Sequence, residues 1–117
     1  EGIQGNKYKL KGRDIYFFNI YYIRSGRYGN LNELQTACAS LNEKMVPLLS
    51  DNYILQSSVP ELVELSKGKS VIAETLREGI VIRPLEEIVD CDLHCNLVRN
   101  RVSFKSVNPE FLLKYGE

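Results

Sequence analysis

Glu78 and Arg83 stand at either end of the apolar run Gly79-Ile80-Val81-Ile82, and Lys105 lies inside the alternating run Arg101-Val102-Ser103-Phe104-Lys105-Ser106. Each run places charge where the surrounding residues read as core. Glycine beside Glu78 lets a ligand or a second backbone come close. Period-two geometry puts Lys105 on one strand face with Ser103 and Arg101, opposite Val102 and Phe104. A carboxylate, a guanidinium and an ammonium converging on one sheet would suit a metal-bound polyphosphate. The carboxylate can hold a divalent ion or a ribose, and the cations neutralise phosphate charge as it develops. Two ordinary strands with solvated end residues fit the same spacing.

Three further groups invite a chemical reading. Lys7, Lys9 and Lys11 alternate with Tyr8 and Leu10, which suits a half-buried strand with a basic face able to track an RNA backbone, or simply a solvated face. Phe17 and Phe18 are core residues by type. Cys91-Asp92-Leu93-His94-Cys95 offers three metal ligands in five residues but lacks the paired Cys-x-x-Cys spacing of structural zinc sites.

The elements that must carry these residues can be read in order. Asp14 to Ile23 is rich in aromatic and β-branched residues and reads as a strand buried on both faces. Arg24 to Gly29 reads as a turn. Asn30 with Glu33 forms a capping-box pattern before a helix whose apolar stripe runs through Leu31, Leu34, Cys38, Leu41 and Met45. Val46 to Leu49 should be extended. Ser58-Val59-Pro60-Glu61 repeats the capping pattern, and that helix should stop near Lys67-Gly68. A short helix is expected from Ser70, strands over Glu78–Pro84 and Arg101–Ser106, and a last helix after Asn108-Pro109-Glu110. The sum is an α+β fold, mainly antiparallel, with helices packed outside.

Bulk properties set the limits. At 117 residues the chain is one domain or part of one. Fifteen basic and fifteen acidic residues cancel, so contact with a polyanion must come from a local patch. No apolar run approaches a membrane span, no signal peptide is visible, and the Glu1-Gly2 start is expected to lie inside a longer protein. Three cysteines favour a reducing, cytoplasmic compartment over a disulfide framework.

Glu78-Gly79-Ile80-Val81-Ile82-Arg83-Pro84 resembles motif IV of the covalent nucleotidyltransferases, in the form that ATP-dependent RNA ligases use. Val102 to Leu112 resembles motif V, and Asp14 to Ile20 the strand called motif IIIa. Glu1 to Tyr8 is similar to the segment that follows motif III. The resemblance covers nearly the whole chain and implies the C-terminal portion of an ATP-grasp-like nucleotidyltransferase domain. It also implies the reaction: a lysine takes AMP from ATP, passes it to an RNA 5′-phosphate, and a 3′-hydroxyl then displaces it. Glu78 would serve Mg²⁺ or Mn²⁺ and the ribose, Lys105 and Arg83 the phosphates, and Phe18 would stack on adenine while Phe17 stays core.

Departures from the family pattern are specific. A second lysine expected two positions before Lys105 is Ser103, and the acid that commonly follows the stacking aromatic is Asn19. The nucleophilic lysine of a Lys-x-Asp/Glu-Gly motif is absent, and the motif III Glu is expected upstream. The isolated chain is therefore expected to be inactive and to need the remaining N-terminal half of the domain. Competing expectations are a non-catalytic RNA-binding or scaffold domain of the same fold, and a DNA ligase or capping-type nucleotidyltransferase.

Overall fold

The computed structural model describes residues 14–55, 58–89 and 101–115. The expected basic strand with Lys7 and Lys9, and the Cys91–Cys95 segment, lie outside them. The chain divides into two compact units, one of Glu1–Asp14, Asn52–Val81 and Lys105–Glu117, the other of Ile15–Asp51 and Ile82–Phe104. Element order is β1 (Tyr21–Tyr22), β2 (Arg27–Tyr28), α1 (Leu31–Ser40), α2 (Val59–Ser66), β3 (Gly79–Ile82), β4 (Phe104–Val107) and α3 (Pro109–Tyr115). β1 pairs with β2 and β3 with β4, and the fold is α+β as expected.

In the second unit, the expected turn after Ile23 contains a strand of its own. β1 and β2 form an antiparallel hairpin that sets Tyr21 opposite Tyr28 and Tyr22 opposite Arg27. The Tyr21 and Tyr28 rings meet edge to face, 5.0 Å between centroids, a cross-strand pairing that stabilises short hairpins. The strand expected to be buried on both faces from Asp14 to Ile23 is not one. Its backbone is pinned at Phe17, which donates to Lys44 O (2.9 Å) and accepts from Val46 N (2.9 Å). Only Tyr21–Tyr22 then join a strand. Ile15, Phe18 and Ile23 are 67%, 56% and 86% exposed, and Phe17, expected as core, is 41% exposed.

α1 begins as its sequence dictates. Asn30 Oδ1 accepts from Glu33 N (2.9 Å) while Glu33 Oε1 accepts from Asn30 N (3.0 Å), which satisfies two end donors reciprocally. Arg27 adds a two-pronged bond to Glu33 at 3.2 and 3.1 Å and lies 4.5 Å above the Tyr22 ring, so one carboxylate ties the hairpin to the helix. Leu34 and Cys38 are buried, but the predicted stripe ends there. The helix stops at Ser40, Asn42 takes φ 54° and turns the chain, and Met45 pairs with Phe17 instead. Leu41 is left 71% exposed.

Glu33 gives this junction a pH signature. Its bond from Arg27, then that from the Asn30 backbone, hold its carboxyl down at about 2 from an ordinary 4.5. A depressed carboxyl contributes stability that is fully present above pH 4.5 and is lost as pH falls through about 2. The melting temperature should therefore drop across that window, and Glu33→Gln should flatten the drop in far-UV melts. An unchanged profile in the variant would remove Glu33 from the account.

The first unit packs α2 and α3 with the β3–β4 region. Pro60 sits in the first turn of α2 as expected, although Ser58 makes no side-chain cap. At the other end, Arg77 donates to three carbonyls: Nη2 to Leu65 O (2.6 Å) and Lys67 O (2.7 Å), and Nε to Ser66 O (3.1 Å). A guanidinium thus satisfies acceptors that every helix C-terminus leaves open. Gly68 follows with φ 124°, a conformation that favours glycine. The helix expected from Ser70 does not form. Ser70 Oγ accepts from Ile72 N (3.2 Å) and Ser70 N donates to Thr75 O (2.8 Å), closing a loop under the Lys69–Leu76 bridge. A serine that bonds its neighbours' backbone offers an alternative to helix. Phe111 of α3 is 2% exposed, and its ring packs on that of Tyr115 one turn on, 4.8 Å between centroids.

Candidate active site

β3 and β4 bring two of the predicted residues together. Glu78 enters β3 and Lys105 sits within β4, with Lys105 Nζ 3.4 Å from Glu78 Oε1. Their side chains are 52% and 58% exposed, so the pair faces solvent. The backbones beneath are tightly apposed. Asn108 N donates to Glu78 O (2.7 Å), and a Cβ added at Gly79 would collide with the Ser106 carbonyl. Glycine next to Glu78 is thus a requirement of strand approach, whereas the sequence left open whether a ligand or a backbone needed the room. Among the described residues no group of three or more His, Cys, Asp or Glu could hold a metal ion. A divalent cation would then take Glu78 as one oxygen ligand and draw the rest from water and phosphate, a donor set that Mg²⁺ accepts.

A second cluster surrounds Phe18. Its ring is more than half exposed, and its carbonyl accepts from Arg83 Nη1 (2.9 Å). Arg83 also donates to Asn19 Oδ1 (2.8 Å) and, through Nε, to Ser103 Oγ (3.2 Å). Predicted as a phosphate ligand, Arg83 therefore has Nε and Nη1 engaged in fixing the backbone at Phe18. Burial, then the nearby Arg101 charge, pushes its pKa below the usual arginine value; the group stays cationic.

Arg101 was assigned by alternation to the same polar face as Lys105, and the structure corrects this. It is 5% exposed, while Phe104, placed on the opposite face, is 49% exposed. A buried guanidinium needs partners, and Arg101 has them. It donates from Nη1 to Asn19 Oδ1 and from Nη2 to Glu87 Oε2 (3.2 Å), and stacks 4.4 Å above the Tyr28 ring. Its Nε lies beside Glu87 Oε1 but off the hydrogen-bonding direction. Two guanidiniums thus share one neutral amide oxygen at the position where the resemblance leads one to expect an acid. Period-two reading missed Arg101 because its partners, Glu87, Asn19 and Tyr28, come from distant segments. Lys7 and Lys9 lie outside the described residues, as do Cys91, His94 and Cys95; Cys38 is buried in α1.

The RNA ligase family model matches residues 2–107. No curated protein matches in sequence. Solved structures of Naegleria gruberi RNA ligase are similar throughout. The form with PPi shares 32% identity, covering 97% of this chain and 31% of that one at a TM-score of 0.76. A mutant with ATP and Mn shares 31% over 95% of this chain and 30% of that one, also at 0.76. Another mutant, with AMP and Mn, gives the same identity, coverage and score. The chain spans about a third of the length of these ligases. With the family model matched over nearly all of its sequence, the chain belongs to the RNA ligase family.

Proposed function

We propose that the chain is the C-terminal portion of the nucleotidyltransferase domain of an ATP-dependent RNA ligase, one that joins RNA 5′-phosphate and 3′-hydroxyl ends. The observation that carries this reading is the Glu78–Lys105 pair, an exposed carboxylate and ammonium 3.4 Å apart within the family-matched residues. The complexes of the Naegleria enzyme with ATP and Mn and with AMP and Mn support ATP and a divalent metal as cofactors.

Each residue then has a physical task. Lys105 places a cation against phosphate oxygens and stabilises negative charge as it shifts towards the leaving group. Glu78 would hold Mg²⁺ or Mn²⁺ and the ribose hydroxyls, the ion supplying further neutralisation of the phosphates. Phe18 offers a π face for adenine, and Arg83 contributes positive charge from a guanidinium anchored on Phe18 O, Asn19 and Ser103. Lys7 and Lys9 would follow the RNA backbone. The nucleophilic lysine, the motif III Glu and the rest of the catalytic domain belong to an N-terminal half, and the reducing cytoplasmic setting is part of the same proposal. Covalent catalysis comes from that lysine, positioning and electrostatics from this chain.

The test is made on the full-length protein containing this chain, incubated with labelled ATP and Mg²⁺. An acid-stable protein–AMP adduct that discharges onto 5′-phosphorylated RNA but not DNA is the expected result. A folded protein that forms no adduct would instead be a binding domain of the same fold.

A further inference from the structure

Asn108 is completely buried, and besides its backbone carbonyl, which accepts from Phe111 N and Leu112 N in α3, it makes three hydrogen bonds of two different kinds. Its Oδ1 accepts from Glu110 N (3.0 Å) at the start of α3, which is ordinary helix capping. The other two run to the entry of β3: its backbone N–H donates to Glu78 O (2.7 Å) and its Nδ2 to Arg77 O (2.9 Å). One residue therefore grips two consecutive carbonyls, those of Glu78 and of the residue before it. Capping requires neither bond.

The surroundings make this grip the rigid end of the site. Arg77 is itself tied by its guanidinium to the last carbonyls of α2, so its backbone cannot drift independently of that helix. On the other side of Glu78, Gly79 lies so close to Ser106 and Val107 that a Cβ has no room. Ser106 is held in turn by its Oγ bond to Leu62 O (3.1 Å) in α2. Glu78 thus has an exposed carboxylate on an immobilised backbone, and Lys105 precedes Asn108 by three residues on the chain that does the immobilising.

We propose that Asn108 is a positioning residue: by holding the Arg77 and Glu78 carbonyls it fixes where the Glu78 carboxylate stands relative to Lys105. This rests on the ligase reading and assigns Asn108 no contact with nucleotide. Its effect on chemistry passes through Glu78. A residue that only stabilises the fold would act equally whether or not Glu78 has a carboxylate.

The experiment is a double-mutant cycle in the full-length protein, read as the rate of lysine adenylylation at saturating ATP and at temperatures where each variant is folded. Asn108→Ser keeps a hydroxyl to cap α3 and keeps the backbone N–H bond, but loses the Nδ2 grip on Arg77. Alone it should lower kcat by about tenfold, with KM for ATP changed by less than about threefold, as expected when an interaction specific to the reacting state is lost. In a Glu78→Ala background the same substitution should cost less than about twofold, because residues acting as a unit are strongly non-additive. Wild-type kcat in folded Asn108→Ser, or the same tenfold loss in both backgrounds, overturns the proposal. If Asn108→Ser does not fold, Gly79→Ala displaces the β3–β4 approach beside Glu78 without emptying a buried polar site, and its loss should likewise vanish in the Glu78→Ala background. Full adenylylation by Glu78→Ala alone would overturn the site assignment itself, an outcome readable before Asn108 is touched.

Discussion

Incubated by itself with labelled ATP and Mg²⁺ or Mn²⁺, the 117-residue chain is expected to give no acid-stable protein–AMP adduct. Covalent transfer needs a lysine presented as an uncharged nucleophile beside the α-phosphate. No Lys-x-Asp/Glu-Gly pattern occurs in the sequence; Lys67-Gly68-Lys69 and Lys11-Gly12-Arg13 both depart from it. Lys67 bonds Glu64 at 2.6 Å, and that bond raises its pKa above the ordinary lysine value, which makes deprotonation harder. Lys105 lies 3.4 Å from Glu78, and Lys44 lies 5.6 Å above the Tyr16 ring. Gel detection after acid quench is sufficient. A label retained on the isolated chain would mean that one of these lysines is a nucleophile and that the division of labour proposed above is wrong.

In the full-length protein, Glu78→Ala and Lys105→Ala should each lower the rate of adenylylation by about 10²–10³-fold, the cost usual for removing one group that stabilises transition-state charge. Stability should hardly change. Both side chains are more than half exposed and 3.4 Å apart, and ion pairs at the surface contribute only about 0–1 kcal/mol. Thermal melts alongside single-turnover rates separate the two quantities. A large fall in melting temperature would make the pair structural, and sealing retained by both variants would remove them from the active site.

What the sequence made legible was mostly local. Asn30 with Glu33 specified the start of α1 because a capping box is written within four residues. Pro60 and Gly68 likewise bracketed α2. The β3 and β4 segments, with Glu78 just before the one and Lys105 on the other, are legible by pattern and resemblance together. Non-local competition explains the misses. Ser70 was read as a helix start, yet its hydroxyl serves a turn closed by Lys69 and Leu76. Leu41 and Met45 continued a periodic stripe that Asn42 cuts. Arg101 looked like a solvated strand residue until Glu87, Asn19 and Tyr28 gathered around it. Apolar character in Asp14–Ile23 was read as burial within this chain, but most of that surface stays open. Sequence type reports what a residue prefers to touch and not whether its partner lies on the same segment.

The neutral acceptor at position 19 also decides which bonds of the second unit acid leaves untouched. An amide oxygen has no proton to gain between neutrality and strong acid, and arginine stays charged throughout that range. The bonds from Arg83 and Arg101 to Asn19 are therefore indifferent to acidification, where a carboxylate in the same place would have discharged. Glu33 has no such immunity, being neutralised as pH falls to about 2. Acid thus loosens the Arg27–Glu33 tie between the hairpin and α1 while the bonds from Arg83 and Arg101 to Asn19 keep both their donors and their acceptor.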